Sequence, residues 1–176
     1  NTLNSNVHTV IPIHFSGAAV ELKNFRNKNP KIKIIEDSAH ALGAKYLTGE
    51  MVGSCKYSEL SVFSLHPAKT ITAGEGGIIT TNNKDYYDQL KLLANNGVQK
   101  KSEKFKIKKH KNDMWYYEVQ QLGFHYRITD FQCALAISQL NKINLFLKVR
   151  KKIVEKYDKA FKNFNNLKPA IKNLDR

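Results

Sequence analysis

Lys69 stands in "FSLHPAKTITAGEGG", Phe63 to Gly77, between a β-type run and a glycine-rich turn, where a charged amine has no evident packing role. A lysine amine is a nucleophile toward carbonyl carbons and forms Schiff bases with them. Thirty-two positions earlier, Asp37 closes the run "KIKIIED". A carboxylate there has two available partners. It can pair with the lysine as a structural ion pair, because a lone buried charge is costly. It can instead hold the proton of a ring nitrogen, which is the arrangement of pyridoxal phosphate chemistry, with the lysine on the cofactor's carbonyl carbon. Ser64 and nearby backbone amides are candidates for the phosphate, and Gly74, Gly76 and Gly77 would let the backbone come close.

These groups need a scaffold that delivers them to one rim. "HTVIPIHF" (residues 8–15) and "KIKIIED" (31–37) read as strands separated by a helix-like "AAVELKNFRN". "ELSVFSL" and "GGIITT" read as strands on either side of the lysine stretch, and "NKDYYDQLKLLANNG" as a helix ended by Gly97. This alternation predicts an α/β fold with a mixed, largely parallel sheet flanked by helices. Asp37 then falls at a strand's carboxyl end, where open α/β sheets present polar groups to a ligand. "RITDFQCALAISQL" predicts a helix opened by Thr129, with Gln132 at capping-box spacing and Asp130 at the positive end of the dipole. Ile143, Phe146, Leu147, Ile153, Val154, Tyr157 and Phe161 predict a long helix whose apolar stripe serves core or subunit packing. "NFNNLKPAIKNLDR" reads as the chain leaving one unit for another, with Pro169 as a breaker.

The composition narrows the partners. The 176 residues carry 29 Lys and Arg against 15 Asp and Glu, a net charge of +14. Much of it sits in residues 99–113, where seven lysines face Glu103 and Asp113. A solvated loop is the ordinary reading of such a run. A phosphate-bearing substrate is the sharper one, and only Phe105 interrupts the lysines, too few rings for a stacking platform. Cys55 and Cys133 have no metal-type spacing and fit a reducing cytoplasm. No run approaches a membrane-spanning length, and the first residues show no signal pattern, so a soluble cytoplasmic chain is expected.

"IIEDSAHALGAKY", "VFSLHPAKTITAGEGGIITT", "WYYEVQQLGFHYRITDFQCALAISQL" and the opening "VIPIHFSG" together resemble the DegT-type sugar aminotransferases. The resemblance runs from about Val10 to about Tyr157. It implies the fold type I transferase architecture of aspartate aminotransferase and pyridoxal 5'-phosphate as cofactor. Residues 1–141 would be part of the cofactor-binding large domain, with the lysine-rich loop at 99–113. Residues 142–176 would be a long helix leading toward a small domain, so that the chain looks like the middle of the enzyme and alone would be inactive. Carried over, Lys69 becomes the lysine that anchors the cofactor, Asp37 the partner of its ring nitrogen, His40 a neighbour of the ring and its phenolic oxygen, and Ser64 a phosphate ligand. His66 and Pro67 share that motif, where a packing or loop-shaping role is expected for His66.

"FSLHPAK" and "WYYEVQQLGFHYRITDFQ" are most similar to the branch that aminates a UDP-linked 4-keto-6-deoxy sugar in pseudaminic acid biosynthesis, with glutamate as donor and a homodimer whose subunits share the site. Lysine at the anchoring position favours transamination over the dehydratase relatives, which carry histidine there. One departure stands out: "GFHYR" puts His125 where the family pattern has an asparagine reaching the phosphate of the neighbouring subunit's cofactor. Histidine can still donate a hydrogen bond to phosphate, with a different reach. Arg127 is a candidate for an anion contact or an interface ion pair. Other readings stay open here: a transaminase of another keto sugar nucleotide, a catalytically silent relative that the His125 change would suit, and a basic nucleic-acid binder whose affinity would fall steeply with salt.

Overall fold

The computed structural model describes residues 6–164 and Asn166. In chain order the elements are β1 (Thr9–Val10), α1 (Lys23–Lys28), β2 (Lys33–Asp37), β3 (Leu60–Ser64), β4 (Gly77–Thr80), α2 (Lys84–Leu93), β5 (Val98–Gln99), β6 (Glu118–Val119), α3 (Asp130–Leu140) and α4 (Ile143–Phe161). They group into two compact units. One holds the chain up to Asn82 together with the part from Asp130 onward, and the other holds Asn83–Thr129.

The first unit is built on a four-stranded sheet of order β1-β2-β3-β4, in which β1, β2 and β3 are parallel and β4 returns antiparallel to β3. The expected mixed, largely parallel sheet is present. Strand β1 is shorter than its sequence suggests because Pro12 has no N–H to give. Pairing continues past it through the Pro12 carbonyl, which accepts Asp37 N–H at 2.9 Å, and through the bridge of Ile13 to Asp37.

Alternation along β2 buries Ile34 and Glu36 and leaves Ile35 and Asp37 on the other face. Strand β3 alternates likewise, burying Ser61 and Phe63. The core under this face contains Leu22, Ile34, Ala41, Tyr46, Val52, Tyr57 and Phe63. Glu36 is the polar centre of that core. His14, Tyr46 and Ser58 all hydrogen-bond its carboxylate, and Ser38 and Ser61 pair beside it at 2.6 Å. Among the described residues, no buried side-chain nitrogen or oxygen lacks a hydrogen-bond partner.

The helix expected over residues 18–27 forms only at Lys23–Lys28. Before it the chain is extended at Ala18, and the N–H of Val20 bonds His14 Nδ1 at 2.9 Å. Helix α3 starts one residue after Thr129, but Gln132 reaches elsewhere as well, donating from its amide to the Glu75 carbonyl at 2.9 Å. On α4, Ile143 and Leu147 pack toward Gly43, while Ile153, Val154, Tyr157 and Phe161 are exposed, so only the start of the stripe meets the core of this chain. The exit segment with Pro169 lies outside the described residues.

In the second unit, Asn83 caps α2 by accepting the N–H groups of Asp85 and Tyr86. The helix ends at Leu93, and Gly97 follows at φ +69°, with its N–H on the Leu92 carbonyl. The seven lysines between residues 100 and 111 are all exposed, as a solvated loop requires. The loop is nevertheless tied down. Phe105 is 2% exposed against Tyr116, and the buried Glu118 carboxylate accepts the N–H groups of Lys106 and Ile107, both at 2.8 Å. Burial pushes Glu118 upward, and those backbone donors together with the Gln120 and Tyr116 side chains more than reverse it, bringing the pKa to about 2. Phe105, turned inward, offers no stacking face.

Candidate active site

Asp37 is the last residue of β2 and pairs in register with Val62 of the adjacent parallel strand. Side chains two apart on a strand share a face, so Asp37 emerges on the face of Val62 and Ser64, at the carboxyl ends of β2 and β3. Asp37 Oδ1 accepts the N–H of Ala39 at 3.1 Å. No hydrogen bond or ion pair among the described residues uses Oδ2.

Beyond Ser64 the chain turns sharply before returning as β4. Leu65 N–H bonds the Gly76 carbonyl at 2.9 Å, and Ala73 N–H returns to the Leu65 carbonyl at 3.0 Å, so residues 65–76 form a closed loop. Thr72 braces it, donating to the Leu65 carbonyl and accepting Gly74 N–H at 2.9 Å. Gly74 and Gly76 have φ of +80° and +147°, which favours glycine at both. Lys69 lies on this loop, partly buried, its N–H on the His66 carbonyl at 2.9 Å and its own carbonyl accepting from Arg150 of α4 at 3.2 Å. Among the described residues its Nζ makes no ion pair, with Asp37 or any other acid. The structural-pair explanation of these two residues is therefore not realised.

His40 sits just past the end of β2, exposed. Its Nδ1 accepts Ser16 N–H at 3.3 Å, and its ring meets Phe15 edge-on at 5.7 Å. Ser16 holds this position at φ +53°, a left-handed conformation uncommon for serine. Ser64 Oγ accepts His66 N–H at 3.3 Å, and no described acceptor takes its hydroxyl hydrogen. Asp37, His40, Ser64 and Lys69 thus all lie in the first unit, around the carboxyl ends of β2 and β3. His125 belongs to the second unit, where Arg127 bonds both its Nε2 and the Asn95 side chain.

A sequence profile described as the DegT/DnrJ/EryC1/StrS aminotransferase family matches residues 1–175. The chain belongs to this family. The UDP-4-amino-4,6-dideoxy-N-acetyl-beta-L-altrosamine transaminase of Campylobacter jejuni serotype O:2 is 38% identical over 158 residues, covering 89% of this chain and 38% of that protein. The Helicobacter pylori transaminase of the same name is 30% identical over 175 residues, covering 97% of this chain and 43% of its own length. Among solved structures, Helicobacter pylori PseC, an aminotransferase involved in the biosynthesis of pseudoaminic acid, matches with a TM-score of 0.80 at 29% identity, covering 93% of this chain and 41% of PseC. The chain spans about two fifths of the length of these curated relatives.

In a DegT/DnrJ/EryC1/StrS aminotransferase the expected cofactor is pyridoxal phosphate, and the open groups suit it. A lysine amine, one free carboxylate oxygen and a hydroxyl hydrogen match in kind a carbonyl carbon, a pyridine nitrogen and a phosphate. Sequence reasoning missed the layer beneath. The polar cluster of His14, Glu36, Tyr46 and Ser58 lies under the face opposite Asp37, and the signal for it was Glu36 two residues after Ile34, on the buried face of an otherwise apolar strand. In the described residues no helix is long and apolar enough to cross a membrane, and no cluster of His, Cys, Asp and Glu could hold a metal ion.

Proposed function

We propose that this protein is a pyridoxal-phosphate-dependent aminotransferase that moves an amino group from glutamate to a UDP-linked 4-keto-6-deoxy sugar. The observation that carries the reading is the set of open groups around one sheet end: Lys69 Nζ, Asp37 Oδ2 and the Ser64 hydroxyl. When bound, the cofactor supplies a carbonyl carbon that carries nitrogen and a ring that takes up electrons. Lys69 would hold that carbon, and its amine, when free, would serve as the acid-base group that takes up and returns a proton. Asp37 would keep the ring nitrogen protonated through its open Oδ2 while Oδ1 stays on Ala39 N–H. Ser64 donates to the phosphate, and His40 stands beside the ring. His125 is assigned to the phosphate in the neighbouring subunit's site, which makes the working enzyme a homodimer. Exposed Met114, Trp115, Leu122 and Phe131 are suited to such subunit contact. The names of the relatives support the UDP-sugar class, and we assign the enzyme to the cytoplasm, where nucleotide sugars are made.

The test uses the full-length protein. Pyridoxal phosphate is added, borohydride traps the bound form, and the modified peptide is mapped by mass, followed by glutamate-dependent amination of the keto sugar. Selective labelling of Lys69 with turnover is expected. Scattered or absent labelling overturns the reading.

A further inference from the structure

We infer that His66 is the positioning residue of the Lys69 turn, its ring Nδ1 acting as the side-chain acceptor of an Asx-type turn. The inference rests on the reading of Lys69 as the cofactor lysine. Three bonds meet at this residue. Its N–H donates to Ser64 Oγ at 3.3 Å, its Nδ1 accepts Ala68 N–H at 3.1 Å, and its carbonyl accepts Lys69 N–H at 2.9 Å. The backbone of this residue ties the Ser64 hydroxyl on one side of the turn to the Lys69 peptide on the other, and its ring, through Ala68 N–H, fixes the turn between them.

The side chain is 51% exposed, so packing does not account for it. An accepting Nδ1 places the ring hydrogen on Nε2. Nε2 lies 3.9 Å from a Glu75 carboxylate oxygen across the mouth of the same loop, and that negative charge favours this tautomer. Pro67 fits the arrangement because it has no N–H to satisfy and fixes φ at the first step of the turn. In a side chain bonded through Cγ, the Oδ1 of asparagine occupies the place of the histidine Nδ1. Asparagine at position 66 therefore preserves the acceptor and removes the imidazole.

The experiment compares His66→Asn and His66→Phe in the full-length protein. Amide hydrogen exchange over residues 66–70 is measured without cofactor, and kcat, KM and the pH profile with it. For His66→Phe, exchange at Ala68 and Lys69 rises by about tenfold and kcat falls by about tenfold or more with KM for the sugar little changed, because a displaced reacting group costs rate more than binding. His66→Asn stays within about threefold of the parent on both measures, with its pH profile in place. If His66→Asn falls as far as His66→Phe, the ring does something other than accept a hydrogen bond and the inference is overturned. Unchanged exchange in His66→Phe overturns it too. The exchange comparison is independent of turnover, so failure of the aminotransferase reading itself would show separately, as absent labelling of Lys69 in the parent protein.

Discussion

His14 and Glu36 meet with the imidazole Nε2 at 2.7 Å from a carboxylate oxygen, and neither side chain has any exposed surface. Because the His14 Nδ1 accepts Val20 N–H, the ring hydrogen lies on Nε2 and His14 is a neutral donor to an ionised acid. Two sequence motifs, "VIPIHFSG" and "KIKIIED", are joined at this point. The turn that places Phe15 and Ser16 against His40 hangs from it.

Glu36→Gln should lower stability by about 3 kcal/mol, since it leaves buried donors facing an amide. Burial raises the Glu36 carboxyl, yet the bonds from His14, Ser58 and Tyr46 prevail and hold its pKa below the ordinary carboxylate value. A group depressed in this way contributes stability above its unfolded pKa, and the contribution disappears as pH falls through its folded pKa. Urea midpoints of the full-length protein should therefore decline on acidification below the carboxylate range, and Glu36→Gln should flatten that decline.

Lys69→Ala should reduce turnover of the keto sugar by roughly three orders of magnitude, the contribution of a positioned acid-base group. Lys69→Arg, which keeps the charge and lacks the nucleophile, should be no better. Steady-state assays with glutamate decide it, and undiminished turnover in either variant would refute the assignment.

Asp37→Asn keeps an acceptor for Ala39 N–H but cannot hold a ring proton as a charge partner. A loss of about a hundredfold in kcat is expected, with thermal stability unchanged, because the electrostatic support of the reacting system is what has been removed. Melting curves alongside kinetics separate this from misfolding.

Gly97→Ala should destabilise the second unit. An added Cβ would lie 1.8 Å from the Gln121 carbonyl oxygen, at a φ of +69° that alanine disfavours. A cost above about 1 kcal/mol follows from the conformation alone, and the contact adds to it. Thermal unfolding and hydrogen exchange over residues 83–129 measure it.

How much of this was legible in the sequence depends on the physics involved. Strands β2, β3 and β4 were readable because short β-branched runs alternate with turn residues, and the Lys69 loop because its glycines announce unusual backbone. The segment from Ala18 to Leu22 was misread because Ala-Ala-Val-Glu-Leu has the local preferences of a helix, whereas the chain is extended at Ala18 and Val20 N–H turns back to the His14 ring. Periodicity on α4 located an apolar face and could not say what meets it. The roles proposed for Asp37 and Lys69 rest on chemistry and family resemblance, since neither spacing nor pattern separates an ion pair from two open groups. That the Lys69 amine has no ion-pair partner among the described residues is visible only in the tertiary structure.

Glu36 and Asp37 are neighbours in sequence and opposites in space, one under the sheet and one at its rim. A single-residue insertion or deletion within Lys33–Asp37 would turn each acid to the opposite face of the sheet, away from its own surroundings. Folding and catalysis would fail from the same frameshift of side chains. This strand therefore tolerates substitution more readily than any change of length.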